Sequence, residues 1–363
     1  MALTKITADV LTDNTIVAAD LATTGTASSA TVLHGNDSWG TVASSGVLNV
    51  AASDPGAGQT SGNTWYLSGL LNFVADTNNI AGVWVTAANT LLARRYAASC
   101  GIQSAMLSVG GLSDGGISNT AQIFDGSLWN STTVFPSTAR HWTMFGSESA
   151  ATTVSGELAS SNSAVSYEFD GTTWAAAGSI SSARTSAGSA GTQTAGLCWC
   201  GIGGTGSNLS EEYDGSSWSS TGNYVISSYD SQGGGKQTAA FGVGGQVPPS
   251  TVNNTGEYDG STWSAGGNSV SSVSEAASGG TQTAGLRAAG YTSSPSTAVN
   301  TSEEYDGSTW SASRTLLTTR RTVDTGAASQ GAGICSNGYT ESPGAFSATT
   351  ELYDKATVQF VAV

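Results

Sequence analysis

The stretch EEYDGSSWSS occupies residues 211–220, and close copies follow as EYDGSTWSAG at 257–266 and EEYDGSTWSA at 303–312. Looser copies precede it, IFDGSLWNST at 123–132 and EFDGTTWAAA at 168–177. In every copy an aromatic residue, an Asp-Gly pair and a tryptophan follow one another at fixed spacing. Asp-Gly is favoured in tight hairpin turns because glycine adopts a positive φ easily. Each copy therefore predicts a strand, a tight turn and a second strand.

The tryptophans of this phrase recur at intervals of 45, 45, 44, 45 and 47 residues. A second marker, Q-[ST]-A-G-L in its best form, recurs in phase with them. A repeat of about 45 residues made of short strands is typical of a β-propeller, in which each repeat forms one four-stranded blade. The tryptophans are Trp84, Trp129, Trp174, Trp218, Trp263 and Trp310, and the marker positions are Gln59, Gln103, Glu148, Gln193, Gln237, Gln282 and Gln330.

Seven marker positions predict seven blades. A single blade cannot bury its own apolar face, so the blades must stack and the ring must close. The last blade can take its outermost strand from residues 38–43, near Trp39, or from residues 357–363; the first choice removes a free sheet edge and is favoured. The predicted fold is all-β: a short extended N-terminal segment, 1–37, and a seven-bladed propeller over 38–363.

Composition excludes several classes of protein. Ten tryptophans argue against a disordered chain. A formal net charge of −15 disfavours binding to nucleic acid. The N-terminus lacks the apolar core of a secretory signal, and no apolar run is long enough to insert into a membrane. The four cysteines do not form a disulfide framework; Cys198 and Cys200 are expected to be small core residues rather than metal ligands. No cofactor is expected.

Residues 174–218 carry a family resemblance. They contain Ala183–Arg184, the glycine pair Gly203–Gly204 after an apolar strand, and then E-Y-D-G-x-x-W. This order resembles a Kelch-type propeller blade. The pattern is incomplete elsewhere, because the glycine pair is missing at 144–148 and 288–292 and the arginine is missing after two of the tryptophans. The resemblance implies a Kelch-like propeller and gives no site residues.

The N-terminal stretch carries a second resemblance. GTASSATVLHGNDSWGTV at 25–42 is similar to a phrase that joins attachment segments to distal domains in bacteriophage tail-fibre proteins, and ITADVLTDNTI at 6–16 resembles the start of cyanophage structural proteins. The resemblance implies a virion fibre or appendage protein, made in the host cytoplasm, that is usually a homo-oligomer, often a trimer. Residues 1–37 would then bind other virion proteins of the neck, tail or capsid. The alternative is that 1–30 is a disordered leader.

Six of the eight arginines fall at one place in the repeat, ten or eleven residues after a tryptophan. In a propeller this place precedes the innermost strand, so the guanidinium groups are expected near one mouth of the central channel. There they could bind carboxylate or phosphate groups of an anionic host-surface polysaccharide. The alternative is that each arginine bridges neighbouring blades, bonded to backbone or to a glutamate. These arginines are Arg94, Arg95, Arg140, Arg184, Arg320 and Arg321.

The sequence favours a protein that is not an enzyme. Only His34 and His141 are present, and no motif for a nucleophile, a metal or a phosphate loop occurs. The repeated aspartates stand where a hairpin turn favours them, and the glutamates just before them are expected to face solvent. Asp214 lies four residues before Trp218, one fewer than in the Asp-box of sialidases. A glycan-cleaving tailspike-type hydrolase remains the alternative, because carboxylates are plentiful.

Overall fold

The computed structural model describes residues 82–159, 161–341 and 344–355, together with five isolated strands in the terminal regions. The chain divides into two compact units, one formed by Met1–Ile80 with Ala356–Val363 and the other by Ala81–Lys355. Both units are built from strands wherever the structure describes them.

In the first unit the described strands form two small antiparallel sheets. One pairs β1 with β2, and the other has the order β3-β4-β37. The strands are β1 (Thr31–Leu33), β2 (Trp39–Thr41), β3 (Asn63–Leu67), β4 (Leu71–Ala75) and β37 (Phe360–Ala362).

The second unit is a β-propeller of six four-stranded antiparallel blades. The innermost strands of the blades contact one another in a closed cycle. The blade strands in chain order are β5 (Val83–Ala87), β6 (Ala98–Ile102), β7 (Ala105–Val109), β10 (Ala121–Phe124), β11 (Trp129–Ser131), β12 (Thr143–Ser147), β13 (Ala150–Val154), β14 (Ser166–Phe169), β15 (Trp174–Ala177), β16 (Gly188–Thr192), β17 (Ala195–Trp199), β18 (Ser210–Tyr213), β19 (Trp218–Ser220), β20 (Gln232–Lys236), β21 (Ala239–Val243), β24 (Thr255–Tyr258), β25 (Trp263–Ala265), β26 (Ala277–Thr281), β27 (Ala284–Ala288), β30 (Ser302–Tyr305), β31 (Trp310–Ala312), β32 (Asp324–Ser329), β33 (Ala332–Ser336) and β36 (Thr350–Asp354).

Blades I to V each use four strands in chain order, from β6-β7-β10-β11 to β26-β27-β30-β31. Four short hairpins project between the second and third strands of blades I, IV, V and VI. They are β8 (Leu112–Ser113) with β9 (Gly116–Ile117), β22 (Gln246–Val247) with β23 (Ser250–Thr251), β28 (Tyr291–Ser293) with β29 (Ser296–Ala298), and β34 (Tyr339–Thr340) with β35 (Ala345–Phe346).

Blade VI closes the ring with a strand from far upstream. Its order is β32-β33-β36-β5, so three strands come from the C-terminal end of the unit and the outermost from its beginning. Tyr353 lies directly opposite Trp84 in the β36–β5 ladder. The last blade is thus completed by an upstream strand, but this strand is β5, whereas the sequence favours residues 38–43 for that role. Neither candidate segment does so, because β2 pairs with β1 and β37 pairs with β4.

The predicted count of seven blades is wrong. Trp84 stands on the outermost strand of blade VI, so the six tryptophans of the repeat, from Trp84 to Trp310 and without Trp142 and Trp199, each mark the outermost strand of one of the six blades. The earlier marker, Gln59, lies outside the described residues, and the strand with Trp39 belongs to the first unit. The predicted boundary at residue 37 also lies outside the described residues.

The Asp-Gly turn has one geometry throughout. Tyr213 and Trp218 face each other across the β18–β19 ladder, so the loop has four residues rather than the two of the tightest hairpin. Asp214 Oδ1 accepts hydrogen bonds from the backbone N–H groups of Ser216 and Ser217, both at 2.8 Å. These bonds lower the pKa of Asp214. Gly215 has φ +90°, which explains the glycine. The aspartates of the repeat therefore hold turns, as predicted.

The Glu and Tyr of the phrase bond to each other across neighbouring blades. The Tyr213 hydroxyl of blade III donates to Glu168 of blade II at 3.0 Å, and the Tyr258 hydroxyl of blade IV donates to Glu212 of blade III at 2.8 Å. Tyr305 with Glu257 and Tyr353 with Glu304 repeat the contact. The expectation that these glutamates face solvent is therefore wrong.

The other two markers also join blades. Gln193 Nε2 donates to the carbonyl of Phe169 at 2.8 Å, and Gln237, Gln282 and Gln330 reach the equivalent tyrosine carbonyl of the preceding blade. Trp218 Nε1 donates to Ser166 of the preceding blade at 3.0 Å. The repeated Asp and Gly thus form a turn, and the repeated Glu, Tyr, Gln and Trp form contacts between blades. These residues recur because every blade needs the same turn and the same contacts.

Candidate functional site at the channel mouth

Six equivalent residues encircle one mouth of the central channel, each just before the innermost strand of a blade. None is glycine, yet all have a left-handed backbone with φ between 54° and 59°. Backbone hydrogen bonds join them from blade to blade: His141 N–H to the Tyr96 carbonyl at 2.9 Å and Asp230 N–H to the Ser186 carbonyl at 2.8 Å. We call this set the mouth ring; its members are Tyr96, His141, Ser186, Asp230, Glu275 and Thr322.

The side chains of the mouth ring form a connected chain. The Tyr96 and His141 rings stack with centroids 3.7 Å apart. His141 Nδ1 lies 3.1 Å from Ser186 Oγ, and the Ser186 hydroxyl bonds to Asp230. Glu275, in the next blade, interacts electrostatically with Asp230 and lies 3.4 Å from an Arg321 nitrogen. Ring atoms, hydroxyls and carboxylates thus line one rim of the channel.

Burial and neighbouring charges shift the pKa of several of these groups. Burial, followed by the charge of Glu275, raises the pKa of Asp230 to about 7. Burial raises the pKa of Glu275 as well, against the opposing effect of Arg321 and Arg95. Burial lowers the pKa of His141 to about 4 and outweighs the effect of Glu157. At neutral pH His141 is therefore uncharged, and the two carboxyl groups titrate together as a pair.

We expect Asp230→Asn to remove a pH dependence of stability. Because the folded state raises the pKa of Asp230 above its unfolded value, ionisation favours unfolding, so this group destabilises the protein as pH rises from about 4 to about 7. The variant should be more stable than the wild type at pH 8, by about 2 kcal/mol, and nearly equal at pH 4. Urea unfolding at pH 4, 6 and 8 measures this. Parallel pH profiles for the two proteins would contradict it.

Asp214→Asn provides a control of opposite sign for that experiment. The folded state lowers the pKa of Asp214, so its ionised form stabilises the turn above pH 4. This variant should be less stable than the wild type at neutral pH and should approach it in acid.

Three of the six predicted binding arginines lie inside the blades. Arg94, Arg184 and Arg320 are at most 1% exposed. Arg94 donates to the Gly110 carbonyl at 3.0 Å, and Arg184 forms an ion pair of 2.9 Å with buried Glu211. Their guanidinium groups bond to backbone or to glutamate, as in the alternative interpretation, but these partners lie in the same blade and do not form the expected bridge to a neighbouring blade. Their guanidinium groups do not meet at the mouth, because the alternation along the chain directs them into the blade.

The other three, Arg95, Arg140 and Arg321, lie beside the mouth ring. They stand at the same repeat position in blades I, II and VI, which are consecutive around the closed ring. In each case the backbone pairs with the residue three positions beyond the end of the second strand of the same blade. Arg140 forms a forked ion pair with Glu157, at 2.7 and 3.1 Å. The structure thus places three of the six predicted arginines beside one mouth of the channel, in three neighbouring blades.

Aromatic side chains separate the mouth arginines. The Tyr339 ring lies 4.7 Å from the Arg95 guanidinium and 5.8 Å from that of Arg321. Tyr291 lies 4.8 Å from Arg321 on its other side. Guanidinium groups stacked on rings are attracted by the ring faces and held in fixed orientations. Blades V, VI and I therefore present an ordered ladder of alternating cations and rings.

The channel below the mouth is a cavity of about 390 Å³, lined by five of the innermost strands and by Thr322 and Val323 just before the sixth. Its wall is mostly backbone, glycine and small side chains. The carboxylates of its lining, Asp230 and Glu275, lie at the mouth, and Lys236 lies near the far end of β20. Polar and charged side chains that could bind a ligand are therefore more frequent at the mouth than inside the channel.

Other candidate groups are accounted for by packing. Cys100, Cys198, Cys200 and Cys335 are all buried and unpaired. Trp199 is 0% exposed and packs on Tyr224 and Trp263, so it is not a sugar platform. Within the described residues no group of three or more histidine, cysteine or acidic side chains could hold a metal ion. The same part of the chain has no helix of the length and apolar character that crossing a bilayer requires.

Comparisons with known proteins add no family. No family model matches the chain, and no curated protein matches it. The interpretation of the site therefore depends on its own geometry.

Sequence reasoning missed the mouth ring and the aromatic ladder. The ring positions follow the arginine position at the same spacing in every repeat, so the period could have located them. Their residue types differ from blade to blade, and that variation conceals them. Tyr291 and Tyr339 share one repeat position, three residues beyond the second strand of their blades, but blades I and II have Leu112 and Glu157 there, and this variation conceals the tyrosines.

Proposed function

We propose that this protein is a structural appendage, or fibre, of a phage virion whose propeller adheres to host-surface glycan. In this proposal residues 1–37 bind other virion proteins of the neck, tail or capsid, and the protein is a homo-oligomer. The N-terminal resemblance supports the virion origin. A rigid ring that displays loops on one face suits adhesion, since binding residues are commonly loop residues held by a firm scaffold.

One observation carries the adhesive part of the proposal. Arg95, Arg140 and Arg321 occupy one position in three consecutive blades, and tyrosines stack against two of them. Glycan chains are recognised by aromatic faces and by polar groups with fixed orientation, and planar guanidinium groups fork onto carboxylates. The protein's net charge of −15 disfavours a dense polyanion such as nucleic acid. An acidic glycan with spaced charges fits this face best.

The full chain should bind acidic bacterial surface polysaccharides on a glycan array. Arg140→Gln combined with Arg321→Gln should weaken that binding at least tenfold while the unfolding temperature changes little, because both side chains are partly exposed. A folded protein that binds no glycan on the array would contradict the adhesive function. Antibody labelling of phage particles tests the virion assignment separately, and labelled capsid, neck or tail would support it.

One observation favours the alternative, a glycan-cleaving hydrolase. Asp230 and Glu275 lie in adjacent blades at the mouth of the channel, and the pKa of Asp230 is raised to about 7. A carboxylic acid that stays protonated near neutral pH beside a second carboxyl group is what general acid catalysis of glycoside hydrolysis requires. If the array identifies a ligand, release of reducing ends that is lost in Asp230→Asn would establish this alternative.

A further inference from the structure

Arg95 differs from the other two mouth arginines in having no acidic partner. Its guanidinium carbon lies 4.8 Å from the Tyr96 ring, 4.7 Å from the Tyr339 ring and 5.5 Å from the Phe346 ring. Its Nε is buried without a hydrogen-bond partner. Among the described residues no carboxylate lies within ion-pair distance of it, whereas Arg140 pairs with Glu157 and Arg321 pairs with Glu341 at 2.9 Å.

The rings around Arg95 fix how a ligand can reach it. Three aromatic rings lie within 5.5 Å of the guanidinium carbon and restrict the directions from which a ligand can reach its remaining donors. A planar fork of N–H donors matches a carboxylate, which accepts two parallel hydrogen bonds. The ring contacts also hold the side chain in place, which reduces the entropy lost when a ligand binds.

The charges nearby limit the ligand to a weak anion. Glu275 acts electrostatically on Arg95, and Glu341 forms an ion pair with neighbouring Arg321 at 2.9 Å. A doubly charged phosphate or sulfate cluster would be repelled by these carboxylates, whereas a single carboxylate would meet one free cation. Glu341 has a side chain that is 38% exposed and can accept hydrogen bonds from sugar hydroxyls.

We propose that Arg95, walled by Tyr339 and Phe346, is the subsite that binds the carboxylate of a uronic acid unit in the glycan. This proposal rests on the proposed function and specifies its ligand class. Phe346 presents an apolar ring to the C–H face of the sugar, and the carboxylate of the same sugar lies in the plane of the Arg95 guanidinium.

Calorimetric titration of the full chain with polygalacturonate tests the subsite, with neutral dextran as the comparison polymer. We expect binding to polygalacturonate and none to dextran. Arg95→Gln should weaken binding at least tenfold. Arg95→Lys should also weaken it, because lysine keeps the charge and loses the fork. Arg314→Gln, an exposed arginine elsewhere, should bind like the wild type. Phe346→Ala removes the wall without changing charge and should weaken binding even if Arg95→Gln folds poorly.

Each result separates the subsite from the broader function. Polygalacturonate binding that survives both Arg95→Gln and Phe346→Ala would overturn the subsite and leave glycan adhesion intact. Absence of polygalacturonate binding, with array binding confined to neutral glycans, would overturn the uronic acid class alone. Absence of binding to any glycan would overturn the proposed function itself.

Discussion

Removal of residues 1–88 is expected to abolish the cooperative unfolding transition of the propeller. The deletion takes away β5, which pairs with β36 along five residue pairs and completes blade VI. The remaining chain would expose the edge of β36 and the apolar side of Tyr353, and an unpaired edge strand promotes aggregation. Removal of residues 1–80 leaves β5 in place and should retain the transition. Thermal unfolding followed by circular dichroism compares the two. Equal transitions in both deletions would show that β5 does not hold the ring closed.

A point substitution tests the same closure in the intact chain. Trp84 is 5% exposed, packs on Tyr353 with ring centroids 5.1 Å apart, and donates its Nε1–H to the Arg314 carbonyl at 3.0 Å. Trp84→Ala should therefore lower the free energy of unfolding by about 4 kcal/mol. Val85, the next residue of the same strand, is 44% exposed, so Val85→Ala should change it by less than about 0.5 kcal/mol.

The blade architecture could be predicted from the sequence, and the blade count could not. Neighbouring blades are joined by repeated contacts, such as the Tyr213–Glu168 hydrogen bond, so the residues that form these contacts recur in the sequence at the period of the blade. The period alone does not identify the strand that completes the last blade and closes the ring. The final copy at 353–363 has no tryptophan, and Trp84 fills its place from more than 260 residues upstream. Only the folded ring shows that the two ends of the repeat array share one blade.

The direction of each side chain is what the sequence could not predict about the site. Arg94 and Arg95 are adjacent, and adjacent residues in extended chain point to opposite sides. The sequence shows that they differ in direction and does not show that Arg94 enters the blade while Arg95 stays at the mouth. The same holds for Glu211, which pairs with Arg184 inside blade III, and Glu212, which receives the Tyr258 hydroxyl from blade IV. Residues at adjacent positions of the repeat therefore lie in different surroundings, one inside its blade and the other at the mouth or at a contact between blades.

The buried Arg320–Glu351 pair is expected to show the largest stability effect of any arginine. Both side chains are 0% exposed and their charged atoms lie 3.2 Å apart. Arg320 also donates to the carbonyls of Asn337 at 2.9 Å and Cys335 at 3.2 Å, and Glu351 accepts from the Leu317 N–H at 2.7 Å. Arg320→Ala should lower the free energy of unfolding by about 4 kcal/mol, because it leaves a buried carboxylate uncompensated.

A double-mutant cycle, with each variant unfolded in urea, measures the coupling of this pair. Arg320→Met combined with Glu351→Leu removes both charges at similar volume, and it should be more stable than either single variant. It should stay below the wild type by about 2 kcal/mol, since the N–H groups of Leu317 and Thr318 lose their acceptor. Arg314→Ala, at an exposed position, should change stability by less than about 0.5 kcal/mol. If the single losses simply added in the double variant, the pair would be uncoupled and the arginines inside the blades would need another explanation. Strong coupling would mean that Arg320 and Glu351 stabilise blade VI as a buried pair, so that the loss of stability in Arg320→Ala comes from the uncompensated carboxylate.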